Sequence, residues 1–366
     1  MAVGRVTIPA KQKALCAADA NGAVEIAEGV DVVRCDPDGV LVKTAALALN
    51  PVDTKMINGF LGPGCILGFD FAGTVVEIGA AVPASRGLRV GDRVFGCADG
   101  VDTRRPLAGA FAEYTTCPAS LVVKMHPDQP FADAAAMGTA ISSAGLALFR
   151  QLGLPLTFEK PRAEDRKKWV LVYGGATSTG TMMIQLLARA GYRVVTTCSP
   201  ANNDLVAAYG AERAFDYRAP SHAQDIRDLT GNALDYAVDC VTVPSSTKAC
   251  YAAIGRAGGR YAALDPYEPA LASRRAVTPG WILATTISGR GSVWPAPYGR
   301  DGDPALRAFG EAYFPAIERI LARGADQIKP HPVQVRPGGL EGILEGIDEI
   351  RRKEVRGFKL VYPVEW

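Results

Sequence analysis

The chain has 366 residues, of which 48% are hydrophobic and 21% charged, and a formal net charge of +2. That length is long for one core and comfortable for two domains, and the near-neutral balance offers neither a nucleic-acid surface nor a membrane-binding one. Met1–Lys13 lacks an apolar core of signal-peptide length and no run is expected to approach the roughly 20 apolar residues that cross a bilayer, so a cytoplasmic protein is expected.

Residues 14–125 read as mostly β, with short segments at Val40–Leu49, Asp70–Ile78, Arg93–Phe95, Ala110–Thr116 and Leu121–Lys124 between Gly, Pro and Asp turns. A pair of helices follows over Phe131–Leu152, with a break expected at Gly138, and then a charged, proline-containing linker at Pro155–Lys168. From Trp169 the pattern alternates, with strands near 170, 194, 214, 236 and 260 and helices at 180–190, 203–209, 221–229 and 246–254, the order of a doubly wound parallel sheet. A helix at Pro304–Arg323, a strand at Val333–Pro337 returning to the first domain, a helix at Leu340–Arg352 and a strand at Lys359–Val361 complete the chain. The expected division is residues 1–155, an inserted nucleotide-binding domain over 156–305, and a return to the first domain over 306–366.

The most informative stretch is Trp169–Gly191. An unbroken apolar run, Trp169–Tyr173, leads into Gly174-Gly-Ala-Thr-Ser-Thr-Gly180 and then into residues at helical spacing. Strand, glycine turn and helix N-terminus form an anion site, because main-chain N–H groups at a helix start have no internal acceptor and the helix dipole favours negative charge there. A tight strand-to-helix connection needs small residues in any case, so the loop alone does not decide. The hydroxyls of Thr177, Ser178 and Thr179 stand where other such loops carry glycine and can donate to phosphate. After the second strand, Val194–Thr197, an NAD site would place Asp or Glu. This chain has Cys198-Ser-Pro-Ala-Asn-Asn203, where Ser199 and Asn202 can bond a 2′-phosphate and Tyr217-Arg218 can stack and add charge, so NADPH is expected over NADH. Ser199 suits a helix cap equally well.

The eight cysteines are scattered without a Cys-x-x-Cys pair, which argues against a zinc lobe and a disulfide framework. The three histidines, His126, His222 and His331, lie in loop-like segments and are expected at the surface, leaving little material for a metal site or a histidine acid–base pair. No metal is expected.

Ala48-Leu-Asn-Pro-Val-Asp-Thr-Lys55, Gly68-Phe-Asp-Phe-Ala-Gly-Thr-Val75, Val90-Gly-Asp-Arg-Val-Phe-Gly96, Gly109-Ala-Phe-Ala-Glu-Tyr114 and Gly175–Gly180 together resemble the medium-chain dehydrogenase/reductase superfamily. The resemblance implies an α/β fold, a GroES-like β-barrel catalytic domain plus a Rossmann doubly wound nucleotide-binding domain. Zinc-dependent members carry Cys and Gly-His-Glu as metal motifs. Here those positions read Asn50 and Gly68-Phe69-Asp70, which places the chain with the zinc-free quinone and enoyl reductases. Ile141-Ser-Ser-Ala-Gly-Leu146, Phe215-Asp-Tyr-Arg-Ala-Pro220, Ala253-Ile-Gly-Arg-Ala-Gly-Gly259 and Trp294-Pro-Ala-Pro-Tyr-Gly-Arg300 are similar to the trans-acting enoyl reductases of fungal highly reducing polyketide synthases, the lovastatin enoyl reductase type.

That family implies hydride transfer from NADPH to the β-carbon of an α,β-unsaturated thioester on the acyl carrier protein of a partner polyketide synthase, by a monomer. It places Val52, Asp53, Thr54 and Lys55 at the nicotinamide end, with Lys55 as the catalytic polar group and Ser143 facing the substrate. Ser143 could equally be a plain capping hydroxyl, and on spacing alone Lys55 is an exposed loop lysine. Ala176, Thr177, Ser178, Thr179 and Gly180 are expected on the pyrophosphate, Ser199, Asn202 and Tyr217 on the 2′-phosphate, Leu264 and Asp265 near the nicotinamide amide, and Val355 and Arg356 as a late contact. Thr286, Ile287, Ser288, Gly289 and Arg290 are expected along the acyl tunnel, with Trp294–Arg300 covering an edge that pairs subunits in other members. Arg104, Arg105, Arg274 and Arg275 are candidates for meeting an acidic carrier, or simply solvated charges. A free-standing quinone or enal reductase and a non-catalytic NADPH-binding accessory subunit are the alternatives.

Overall fold

The computed structural model of the chain describes residues 7–57, 59–60, 62–158 and 168–366. It divides into two compact units, Met1–Thr139 with Thr285–Trp366, and Ala140–Ala284. The linker expected at Pro155–Lys168 lies, over 159–167, outside the described residues.

In the first unit β1 (Lys11–Ala17) pairs antiparallel with β2 (Val24–Asp31). β3 (Gly39–Ala48) runs into a short helix, α1 (Pro51–Met56), and returns through β4 (Asp70–Ile78). β5 (Arg93–Cys97), β6 (Tyr114–Pro118) and β7 (Val123–Lys124) follow. β3 is buried at eight of ten positions, which explains a sequence without polar alternation: it is covered on both faces and paired with β4 and β6.

The two helices expected over Phe131–Leu152 are α2 (Phe131–Ala135) and α3 (Gly138–Gly145), the latter continuing as a π-helical turn at Leu146–Gln151. The break falls at Ala136–Met137, and Gly138 opens the second helix instead of interrupting it. A Cβ on Gly138 would lie 2.1 Å from the Gly96 carbonyl oxygen, so this glycine serves close approach of helix to strand. Ser143 consequently sits inside α3 and does not cap it. Phe131–Gln151 is also, at 21 residues, long and apolar enough to span a bilayer, contrary to the sequence expectation. With 78% of its most apolar window buried inside the protein, it is built as a core helix.

The second unit is a six-stranded parallel sheet. β8 (Trp169–Tyr173), α4 (Ser178–Arg189), β9 (Arg193–Cys198), α5 (Asn203–Ala208), β10 (Arg213–Asp216) and α6 (His222–Leu229) form the first half. β11 (Tyr236–Asp239), α7 (Pro244–Ala253), β12 (Gly259–Ala263) and β13 (Val277–Thr278) form the second. The spatial order β10-β9-β8-β11-β12-β13 reverses direction at β8, the doubly wound arrangement that opens a crevice at the carboxyl ends of the strands. β8 is central and all five of its residues are buried, as its unbroken apolar run predicts.

The chain then returns to the first unit through α8 (Pro304–Leu321), β14 (Val333–Val335), α9 (Gly339–Arg351) and β15 (Lys359–Pro363). β15 pairs antiparallel with β3 and parallel with β14, giving the order β14-β15-β3-β4-β5-β7 with β6 also on β3. The expected return strand at Val333 is therefore in that sheet.

The strand-to-helix turn of the second unit is sterically fixed. A Cβ on Gly180 would meet the Gly174 carbonyl oxygen at 2.4 Å and Gly175 Cα at 2.8 Å, both of them backbone. Gly180→Ala should destabilise the fold by about 1–3 kcal/mol, the range for a forced backbone shift, read as a lowered urea midpoint. An unchanged midpoint would mean the turn has slack that this geometry lacks.

Candidate active site

The expected dinucleotide residues of the second unit converge on one edge. The parallel register aligns Tyr173 with Thr197 and Asp239, Asp239 with Ala263, and Cys198 with Asp216. Ala176–Gly180, Ser199, Asn202, Tyr217, Leu264 and Asp265 therefore all follow carboxyl ends of neighbouring strands. Asp239, which the sequence did not single out, belongs with them: wholly buried, it accepts from the Val241 and Thr242 N–H groups (3.0 and 2.9 Å), the Ser246 hydroxyl (2.7 Å) and the Tyr261 hydroxyl (3.0 Å). These bonds hold Thr242 in a left-handed conformation, φ +53°, in the loop above β11.

The loop residues divide by what the fold already asks of them. Thr177 caps α4: its Oγ1 accepts from Gly180 N at 3.0 Å and donates to the Gly174 carbonyl at 2.8 Å. That hydroxyl is spent on the turn, so the expectation that it donates to phosphate is corrected. Ser178 Oγ is shielded from solvent and has no hydrogen-bond partner, and the N–H groups of Ser178 and Thr179, at the first turn of α4, have no intrahelical acceptor. An unsatisfied hydroxyl and two free donors at the positive end of a helix fit an anionic pyrophosphate. Beyond β9, Ser199 Oγ accepts from Asn202 Nδ2 at 3.0 Å; residues 199–203 carry no carboxylate, and Asp204 follows in the first turn of α5. Tyr217 is 48% exposed, with the Arg218 guanidinium 5.8 Å from its ring centre. Arg218 is bonded to Asp216 at 2.9 and 3.0 Å, so the positive charge expected from it is shared with a carboxylate of its own chain.

In the first unit the notable group is one the sequence did not offer. Lys359, 4% exposed at the start of β15, donates to Asn50 Oδ1 at 2.9 Å and to Asp70 Oδ2 at 2.5 Å. Asp70 is wholly buried. Its Oδ2 also accepts from Asn50 Nδ2 at 3.0 Å, and its Oδ1 accepts from the main-chain N–H and the hydroxyl of Thr139, both at 2.6 Å. Asn50 precedes α1, and its N–H donates to Asp53 Oδ2 at 2.6 Å. The other Asp53 oxygen is buried without a partner. Burial pushes the Asp53 carboxyl up to about 8, against the bond from Asn50 N, with the Asp70 charge raising it and Lys359 lowering it. Asn50 and Asp70, the polar side chains in the stretches matched above to the metal motifs, thus surround an ammonium group here. Among the described residues no cluster of three His, Cys, Asp or Glu side chains is placed to hold a metal ion.

His331 corrects its expectation. It is 4% exposed, and burial together with the Lys359 charge holds it down at about 4. The eight cysteines are free thiols.

The remaining candidates are placed as follows. Val52, Asp53, Thr54 and Lys55 lie on α1, with Asp53 and Thr54 buried and Lys55 exposed. Ser143 is buried in α3. Thr286, Ile287 and Ser288 are buried in a 3-10 turn, Gly289 follows at φ +74°, and Arg290 ion-pairs with Asp36 at 2.9 Å and Asp99 at 3.2 Å. Val355 and Arg356 sit in the connection between α9 and β15, Arg356 Nε donating to the Lys353 carbonyl at 3.0 Å. Trp294 packs edge-on against Phe60, Phe69 and Tyr298 and donates to the Val101 carbonyl at 3.1 Å.

Comparison with known proteins bears on both units. The family model described as alcohol dehydrogenase GroES-like domain matches residues 36–127, and the one described as zinc-binding dehydrogenase matches 178–296. Among solved structures, a putative zinc-dependent alcohol dehydrogenase from Rhizobium etli superposes with a TM-score of 0.76 at 21% identity, covering 97% of this chain and 99% of that one. The CurK enoyl reductase does so with a TM-score of 0.70 at 16% identity, covering 97% and 99%. At such identities these show the fold: a GroES-like unit joined to a nucleotide-binding one. Among curated proteins, the trans-enoyl reductase milB of Cordyceps militaris is 52% identical over 97% of this chain and 99% of its own, and buaC of Petromyces alliaceus is 47% identical over 97% and 98%. A likeness of that depth, running through the inserted unit and both flanking parts of the other, is that of common descent over the whole molecule, and the chain belongs to the trans-enoyl reductases, oxidoreductases of the medium-chain dehydrogenase/reductase type.

Proposed function

We propose that this chain is a trans-acting enoyl reductase that delivers a hydride from NADPH to the β-carbon of an α,β-unsaturated polyketide thioester carried on the acyl carrier protein of a partner polyketide synthase. The observation that carries this reading is the end-to-end likeness, 52% over 97% of the chain, to a protein named a trans-enoyl reductase. A nicotinamide dinucleotide fits the carboxyl edge of the parallel sheet, where Ser178 Oγ lacks a partner. NADPH, when bound, supplies the hydride.

The chain's own residues supply the rest. Ser178 and the N–H groups at the start of α4 hold the pyrophosphate, while Ser199, Asn202 and Tyr217 hold the 2′-phosphate, with no carboxylate among residues 199–203, where an NAD site would place one. Val52–Lys55, Leu264, Asp265, Val355 and Arg356 shape the nicotinamide end. Lys55, exposed on α1, donates from Nζ to the nicotinamide ribose or to the thioester carbonyl oxygen, where negative charge develops as the C=C bond is reduced, and the same ammonium can serve as the proton source for the α-carbon. Ser143 and the Thr286–Arg290 segment face the acyl group in this reading. The enzyme acts as a monomer in the cytoplasm.

Carrier recognition draws less support from the arginines singled out in the sequence. Arg104 pairs with Asp102 at 2.7 Å, Arg105 with Asp36 at 2.6 Å, and Arg274 donates to the Tyr251, Ile254 and Gly255 carbonyls at 2.6–3.0 Å. These three charges are already engaged within their own units, and the fourth arginine, Arg275, is exposed.

NADPH consumption should be faster with an enoyl group on a carrier protein than with the same group on a pantetheine thioester, and slow with a simple quinone; turnover on the quinone alone would sink the proposal. Lys55→Ala should cut kcat by about a hundredfold, the worth of one good oxyanion donor, with NADPH affinity within a few-fold, and equal turnover would remove Lys55 from the mechanism. Ser199→Asp should lower the preference for NADPH over NADH by about tenfold or more, since a carboxylate favours the free ribose and repels the 2′-phosphate. The ratio of kcat/KM values for the two cofactors is the measurement, and an unchanged ratio would place the 2′-phosphate elsewhere.

A further inference from the structure

We infer that Lys359 is a positioning residue: its buried ammonium, held by Asn50 and Asp70, fixes the entry to α1 and thereby the placement of Lys55. The inference rests on the role proposed for Lys55.

The chain path supports this. β15 is stitched to β3 in register, Val361 opposite Ala48, and Leu49 N donates to the Leu360 carbonyl at 3.0 Å. The C-terminal strand therefore delivers Lys359 beside Asn50, the residue that caps α1 two positions beyond the end of β3. α1 has only six residues, too few to be stable by its own hydrogen bonds. What fixes it is its start: Asn50 N bonds Asp53, while the Asn50 side chain gives its oxygen to Lys359 and its amide hydrogens to Asp70. Asn50 thus has one orientation, because only Oδ1 can accept from the ammonium and only Nδ2 can donate to the carboxylate. Through its second oxygen the same Asp70 holds Thr139 by two further bonds. Four donors on one buried carboxylate leave it no lone pair to spare, so Lys359 cannot leave without freeing Asn50 to turn. The Asp53 oxygen without a partner shows that the entry to α1 holds a polar group short of its bonding capacity, which the rest of the network must outweigh.

A purely structural lysine would act through overall stability, whereas a positioning lysine acts on α1. The test compares the wild type with Lys359→Met and Asp70→Asn, measuring kcat and NADPH dissociation constant with the pantetheine enoyl thioester, and hydrogen exchange along the chain. The expectation is a kcat lower by about a hundredfold in Lys359→Met, the scale for a catalytic group misplaced by about an ångström, with the NADPH constant within about threefold. Exchange should rise at 50–57 more than in β3 or β4. Asp70→Asn keeps the shape of the carboxylate and carries the test should Lys359→Met not fold. Exchange rising uniformly, or kcat unchanged in a variant still folded, would overturn the inference. If the wild type itself turns over no enoyl substrate, the proposed function fails, and the exchange pattern at 50–57 still decides whether Lys359 fixes α1.

Discussion

An ammonium group taken out of water costs several kcal/mol even after a protein relaxes around it, and only close, well-aligned partners offset that cost. Lys359 meets that demand with the carbonyl oxygen of Asn50 and a carboxylate oxygen of Asp70, the latter wholly buried. The first unit depends on this cluster because its three members come from three places in the chain: Asn50 between β3 and α1, Asp70 at the start of β4 and Lys359 at the start of β15. Removing one partner would leave an uncompensated buried charge, typically a loss of 3–5 kcal/mol. The pair therefore fastens the C-terminal return to the sheet that the N-terminal half began, in addition to the ladder between β15 and β3.

A comparable logic governs the nucleotide unit, with a buried carboxylate at its centre. Asp239 ends β11 next to the central strand β8, and its oxygens gather two main-chain N–H groups and two hydroxyls. The loop it holds lies at the point where strand order reverses, the place where a doubly wound sheet opens. Thr177 does similar service on the other side of β8 by closing the glycine turn. In both units, polar side chains near the site are occupied in shaping backbone. The group left over beside the glycine turn, Ser178 Oγ, is the one available to a ligand.

The strand and helix order of the inserted unit was legible in the sequence because parallel strands buried on both faces read as short apolar runs, and the connecting helices begin and end at Gly, Pro, Ser or Asn. The first unit was legible in outline, but the pair β1 and β2 was not delimited, since β2 is half-exposed and carries no buried position. Gly138 misled for a physical reason: a glycine at a helix start and one at a helix break look alike until the opposing strand is known.

Local pattern and family motifs determined the fold class, the cofactor loop and the departure from the metal motifs, with Phe69 at the histidine position and Asn50 and Asp70 as the polar side chains that remain. What fills the space between those two side chains was beyond the sequence. Lys359 is 309 residues from Asn50 and 289 from Asp70, and a lysine opening the strand Lys359-Leu-Val-Tyr-Pro363 reads as an ordinary exposed end. The same is true of His331 and of the arginines paired with Asp36, Asp99 and Asp102. Whether a charge is solvated or buried, and which charge it faces, depends on strand pairing across the whole chain, and only the tertiary structure decided it.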